Sequence, residues 1–514
     1  MRMASPRSVN ELLQIGAGGD PAIGAPGRKD LTYAGLRDLV EATGRALAAA
    51  GIGPGDRVGI VLANGPAMAS CFLAVAAHAT AAPLNPGYRE DEFDFYISDL
   101  KAKAVIVAAG DETPAKAVAE RHGATVIELA EDEASPAGSF ALSVDGPLPD
   151  AAVAAGPDDT ALVLHTSGTT SRPKIVPLSG ANLASSAGHI AVSLTLTPAD
   201  RCLNIMPLFH IHGLMAAVNA SMRAGASVHC APGFNALRIF PQFEEVRPTW
   251  YTAVPTMHQA ILGRAARNTD LIGQLGLRFI RSSSSSLPPQ VMVELEQVFG
   301  CPVIESYGMT EASHQMASNP LPPAVRKPGT VGVAAGPEIR LMDADGRFVG
   351  PDEAGEIVIR GPNVTAGYEN NPKANAENFP DDPEGGPRWF RTGDEGRFDA
   401  DGYLSITGRL KEIINRGGEK IAPREVDEVL MDHEAVAQAV TFAVAHPKLG
   451  EEVGAAVVLG EGKSASEQDL KDFVSARLAD FKVPRKLVIL DEIPKGATGK
   501  LQRIGLAKKL GLED

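Results

Sequence analysis

Hydrophobic positions along the chain switch repeatedly between two periods. Leu36, Leu39, Val40 and Leu47 recur at helical spacing, whereas Val58, Ile60 and Leu62 fall at alternate positions and predict a strand over 57–62. Gly51 and the run Gly53-Pro54-Gly55-Asp56 separate the two. The apolar stretch 61–82 is broken near its start by Asn64, Gly65 and Pro66, so it reads as a strand, a turn and a buried helix rather than a membrane span. A further strand leaves through Pro83 and Pro86, a helix carrying Phe93, Tyr96 and Leu100 follows, and 105–107 and 126–127 are short strands. Such alternation predicts an α/β fold with parallel sheets covered by helices.

Residues 145–157, rich in Ala, Pro and Asp, form a solvated connector. The apolar runs 161–164 and 277–280 each lead into a hydroxyl-rich segment, the second being Ser282 to Ser286. A loop at a strand end is where α/β ligand sites usually lie. Beyond Gly361, turn-forming residues dominate until Trp389-Phe390, and 403–407 is a strand ending at Gly408-Arg409. From about Lys411 the pattern restarts: a helix over 426–431, strands over 439–444 and 454–458, and a helix over 469–478. That suffices for a small α+β domain with its own core. The expected organisation is a large N-terminal domain, 1–409, and a small, mobile C-terminal domain, 410–514.

At 514 residues the chain exceeds one typical core, and 44% apolar with 22% charged residues is an ordinary globular composition. The formal net charge of −15 argues against a general binder of nucleic acid or anionic membrane, without forbidding anionic substrates. Cys71, Cys202, Cys230 and Cys301 lack metal-ligand spacing and read as reduced thiols. With no secretory h-region at the start and no peroxisomal address at the end, a cytoplasmic location is expected.

The densest chemistry lies in His165-Thr166-Ser167-Gly168-Thr169-Thr170-Ser171-Arg172-Pro173-Lys174. Hydroxyls and backbone N–H groups can donate to polyphosphate oxygens, glycine permits close approach, and Lys174 adds a point charge. This is not the common P-loop, whose G-x-x-x-x-G-K-[ST] spacing no stretch satisfies. A second cluster is Tyr307-Gly308-Met309-Thr310-Glu311. Tyr307 can stack on a base, Thr310 can donate to phosphate, and Glu311 can hold Mg²⁺ whose octahedron phosphates complete. Alone, these residues better describe a strand running into a helix capped by Thr310; beside the hydroxyl loop, the nucleotide reading prevails. Asp394, on the turn Thr392-Gly393-Asp394, can accept ribose hydroxyls, with Arg409 a candidate second partner for ribose or phosphate.

These motifs, T-S-G-T-T-x-x-P-K and Y-G-x-T-E, resemble those of the adenylate-forming superfamily of acyl-CoA synthetases, peptide-synthetase adenylation domains and luciferases. The resemblance implies ATP, Mg²⁺ and coenzyme A as reactants. It implies nucleotide contacts from Thr166, Ser167, Gly168, Thr169, Thr170, Lys174, Tyr307, Asp394 and Arg409, with Thr310 and Glu311 at the reacting phosphates. Lys500, in Pro494-Lys495-Gly496-Ala497-Thr498-Gly499-Lys500, matches the family lysine that bridges the attacking carboxylate and the α-phosphate. Lys411 matches the hinge, and Gly417 and Gly418 match a segment lining the pantetheine tunnel.

Three features bear on the acid. His210 and His212 stand at alternate positions, but no third ligand is evident, so packing around substrate or ATP is expected rather than a metal. His314, one turn past Glu311, is expected at the start of a helix, facing the acid, with Ser284 of the serine run donating beside it. Ser306 precedes the tyrosine where malonate-activating relatives carry arginine. The run Tyr307 to Pro322, with Arg278-Phe279-Ile280-Arg281-Ser282 upstream, is similar to oxalate–CoA ligases, departing from them at Ser283 and Ser285. The sequence therefore points to an AMP-forming acid–CoA ligase, oxalate first. Another short- or medium-chain acid is the alternative, or a stand-alone adenylation enzyme that loads a carrier protein.

Overall fold

The computed structural model describes residues 5–166, 173–350, 352–417, 419–494 and 501–513. The chain divides into two compact units, Met1–Ile339 with Ile359–Phe390, and Arg340–Val358 with Arg391–Asp514.

Among the described residues, the first unit carries two large sheets. One is ordered Phe140–Ser143, Thr125–Glu131, Ala104–Ala108, Arg57–Val61, Thr80–Pro83, Thr160–Thr166, Lys174–Ser179, with parallel pairing through its centre and antiparallel pairing at both ends. Its central strands are continuous apolar runs because helices cover both faces. Helix Pro66–His78, with proline in its first turn, is buried from Ala67 onward, as the interrupted apolar stretch predicts.

The other sheet is parallel from Pro21–Gly24 through Ser227–Cys230, Arg201–Asn204, Trp250–Ala253 and Phe279–Ser282 to Val303–Met309. Val303–Met309 then pairs antiparallel with His314–Ser318. Here the structure departs from the sequence reading: His314 opens a strand, not a helix. Thr310–Ala312 is a single 3₁₀ turn, and Ser313 and His314 follow at φ 48° and 93°, which reverses the chain. Gly308 permits this, since a Cβ there would sit 1.8 Å from the His314 carbonyl oxygen.

The second unit has its own core around Ile414, Val426, Leu430, Val453 and Leu470. Helix Pro423–Met431 and strands Val436–His446 and Gly450–Leu459 run a few residues beyond the elements read from sequence, and helix Glu467–Ser475 starts two residues before and stops three residues short of the expected 469–478. Strands Phe390–Phe398 and Leu404–Arg409 also group largely here, so the boundary expected after Arg409 falls inside this unit. Among the described residues no helix is long and apolar enough to cross a membrane.

Candidate active site

In the first unit, Thr166 ends one strand directly opposite Lys174, which begins its antiparallel neighbour. Ser167, Gly168, Thr169 and Thr170 lie outside the described residues. The Lys174 ammonium sits 4.3 Å above the ring of Tyr368. The Tyr368 hydroxyl donates to Glu311 Oε1 at 2.9 Å. Burial, and then the Glu311 charge, raise the phenol well above its usual pKa and keep this donor protonated. The backbone carbonyl of Glu311 accepts from the Thr365 N–H at 2.8 Å, so one short chain segment holds both the backbone and the side chain of Glu311. Tyr307 is buried on the preceding strand, and Thr310 occupies the 3₁₀ turn.

No cluster of three or more metal-ligating side chains occurs among the described residues. A single buried carboxylate such as Glu311 suits Mg²⁺, which takes most of its ligands from phosphate and water instead of an all-protein cage.

The serine run and the histidines build a second cluster in the same unit. His212 is the first residue of a π-helix, His212–Asn219, and is buried. Its Nδ1 lies 2.9 Å from Ser284 Oγ and its Nε2 lies 2.6 Å from Thr252 Oγ1. The His212 and His314 rings stack with centroids 4.9 Å apart and planes 23° from parallel. Ser284 takes φ 70°, which turns the loop after the strand toward the two histidines. His210, expected with His212 to pack around substrate or ATP, lies with its ring against Phe209 and is partly exposed.

In the second unit, Asp394 is buried and accepts from Arg409 Nε at 3.1 Å across paired strands, while Arg409 is 61% exposed. Gly393 at φ 75° makes the turn, and Glu356 holds it through the Gly393 N–H at 3.0 Å and Arg391 Nε at 2.6 Å. Lys411 is exposed in the turn after Arg409. Gly417, at φ 63°, donates its N–H to the Leu449 carbonyl at 2.8 Å. Gly418 and Lys500 lie outside the described residues.

The AMP-binding enzyme family model matches residues 16–369, and the AMP-binding enzyme C-terminal domain model matches residues 425–500. The chain belongs to the AMP-binding enzyme family. It is 46% identical over 492 residues to an oxalate–CoA ligase of Arabidopsis thaliana, covering 94% of each chain. It is 41% identical over 477 residues to an oxalate–CoA ligase of Saccharomyces cerevisiae, covering 88% of this chain and 86% of that one. The crystal structure of ATP-bound MatB from Rhodopseudomonas palustris superposes with a TM-score of 0.86 at 30% identity over 98% of both chains.

In this AMP-binding enzyme, the structure joins Lys174 to Glu311 through Tyr368, Asp394 to Arg409, and Ser284 to His314 through His212. Tyr368 and Thr252 went unread in the sequence. Tyr368 sits among turn-forming residues with no periodic signal, and Thr252 is one hydroxyl in a buried strand.

Proposed function

We propose that this AMP-binding enzyme is an acid–CoA ligase that converts oxalate, ATP and coenzyme A into oxalyl-CoA, AMP and diphosphate. The observation that carries the acid is the hydroxyl–imidazole cluster of Ser284, Thr252, His212 and His314, where an alkyl or aryl acid would need an apolar wall. The two oxalate–CoA ligases similar over most of the chain support the same assignment.

In the first step a carboxylate oxygen of the acid attacks the α-phosphorus, the bond to the β-phosphate oxygen breaks, and diphosphate leaves. Thr166, Ser167, Gly168, Thr169, Thr170 and Lys174 donate to the phosphates, Tyr307 stacks on the adenine, and Asp394 with Arg409 holds the ribose. Thr310 and Lys500 stabilise the negative charge that grows between the reacting groups. Glu311, oriented by Tyr368, would hold Mg²⁺, which neutralises phosphate charge when bound. In the second step the CoA thiol attacks the acyl carbon, loses its proton, and AMP leaves. Gly417 and Gly418 let the pantetheine arm pass close to the backbone, and rotation at Lys411 exchanges the two steps. Four buried, unpaired thiols support a cytoplasmic location.

The test is CoA-dependent AMP release across oxalate, malonate, acetate, octanoate and 4-coumarate. Oxalate is expected to give the highest kcat/KM. A wide preference for octanoate would remove the roles given to His314 and Ser284.

A further inference from the structure

Arg281 lies on the central strand Phe279–Ser282 and is 0% exposed. A buried guanidinium is costly unless an anion pairs with it. Even arginines that keep some exposure are paired here: Arg278 clamps Asp200 at 2.7 and 3.0 Å, and Arg503 holds Asp427 at 2.6 Å. Among the described residues Arg281 has no carboxylate partner. Its contacts are neutral: Nη1 approaches His212 Nε2 at 3.4 Å and Thr252 Oγ1 at 3.5 Å, and Nη2 donates to Gln315 Oε1 at 3.3 Å. Among the described residues its Nε has no hydrogen-bond partner. Burial lowers its pKa to about 9, which still leaves it charged at neutral pH.

Each contact leads into the cluster assigned to the acid. A guanidinium can only donate and the Thr252 hydroxyl, 2.6 Å from the same nitrogen, can do so too, so we assign His212 Nε2 as an acceptor and place the imidazole proton on Nδ1. Ser284 Oγ, 2.9 Å away, accepts that proton and keeps its own hydroxyl proton for another acceptor. Gln315, on the other arm of the guanidinium, is the residue after His314 and is itself fixed by donating to Ser193 Oγ and the Ala335 carbonyl, both at 3.0 Å. The orientation of both flanks therefore depends on one uncompensated cation.

We propose that Arg281 is a specificity-determining positioning residue whose counter-charge is the second carboxylate of a dianionic acid, reached through His212 and Ser284. A monocarboxylate spends its only charge at the reacting end and leaves the guanidinium unbalanced, whereas a dicarboxylate neutralises it. This rests on the assignment of the acid as oxalate.

The test compares oxalate with oxamate, which keeps the reactive carboxylate and replaces the other by a carboxamide of the same shape. Arg281→Gln is expected to lower kcat/KM for oxalate by about 100-fold, mainly through KM, and for oxamate by no more than about 3-fold. Arg281→Lys should restore most of the preference. Thermal unfolding is followed for each variant; if Arg281→Gln does not fold, His212→Gln cuts the relay one contact further on and should collapse the same ratio. Equal losses for both acids would overturn the role of Arg281 while leaving oxalate as substrate. A wild-type enzyme that prefers octanoate to oxalate would overturn the assigned acid, and this inference with it.

Discussion

Tyr368 donates its phenolic proton to the Glu311 carboxylate at 2.9 Å, although 57 residues separate them. The ring of the same tyrosine lies under the Lys174 ammonium, so one side chain orients both an anion and a cation of the proposed phosphate site. A hydrogen bond to a charged, buried acceptor contributes more than a neutral one, roughly 1.5–3 kcal/mol. Tyr368→Phe keeps the ring beneath Lys174 and removes only that bond. The variant is expected to need about 10-fold more Mg²⁺ for half-maximal diphosphate release, and to lose roughly 1.5–3 kcal/mol of stability with the bond. A Mg²⁺ titration of acid-dependent diphosphate release checks this; an unchanged requirement would show that Glu311 does not depend on the phenol.

Gly308 sets the hairpin that delivers His314. With the added Cβ 1.8 Å from a backbone oxygen, no side-chain rotation can relieve the contact. Gly308→Ala should destabilise the first unit by more than about 2 kcal/mol and raise KM for the acid, because the reversal at Ser313 and His314 must shift. Urea unfolding at 25 °C together with acid KM tests both parts. Loss of neither would mean the strand can move aside.

His258 provides a stability probe next to the backbone of Arg281. It is 0% exposed, its Nδ1 lies 3.2 Å from the Tyr251 hydroxyl, and burial lowers its pKa from 6.5 to about 3. Above pH 6.5 it is neutral folded and unfolded, so it contributes no pH dependence. Below pH 6.5 the unfolded chain binds a proton that the folded chain refuses, so stability falls by up to about 1.4 kcal/mol per pH unit until about pH 3. Comparing unfolding at pH 7 and pH 5 for the wild type and His258→Gln should show a shallower loss in the variant. Equal slopes would exclude His258 as the source.

What the sequence made legible was local. The strand–helix alternation around 57–62 and 66–78, and the hydroxyl and tyrosine–glutamate motifs, are readable because each is complete within one short window. The proposed acid site is not. Thr252 and Arg281 meet because two parallel strands pair in that register, and His212 joins them from a separate helix. No periodicity records such a meeting. The expected helix at His314 failed for a related reason, since two consecutive residues at positive φ are set by the packing of Gly308 rather than by their own preference.

Lys500 is assigned to the first half-reaction alone. Lys500→Ala should therefore lower oxalate-dependent diphosphate release by about 100-fold or more, while thioester formation from separately supplied oxalyl-AMP changes by less than about 5-fold. Parallel single-turnover measurements of the two steps decide it. Comparable losses in both would remove the division of labour.

The central claim is that this AMP-binding enzyme activates oxalate through its adenylate. The most direct measurement is exchange of labelled diphosphate into ATP, with Mg²⁺ present and CoA absent, for each acid in turn. The account predicts exchange that depends on oxalate and exceeds that with oxamate, acetate or octanoate. Exchange that no acid stimulates would contradict adenylation itself, and exchange strongest with octanoate would contradict the acid.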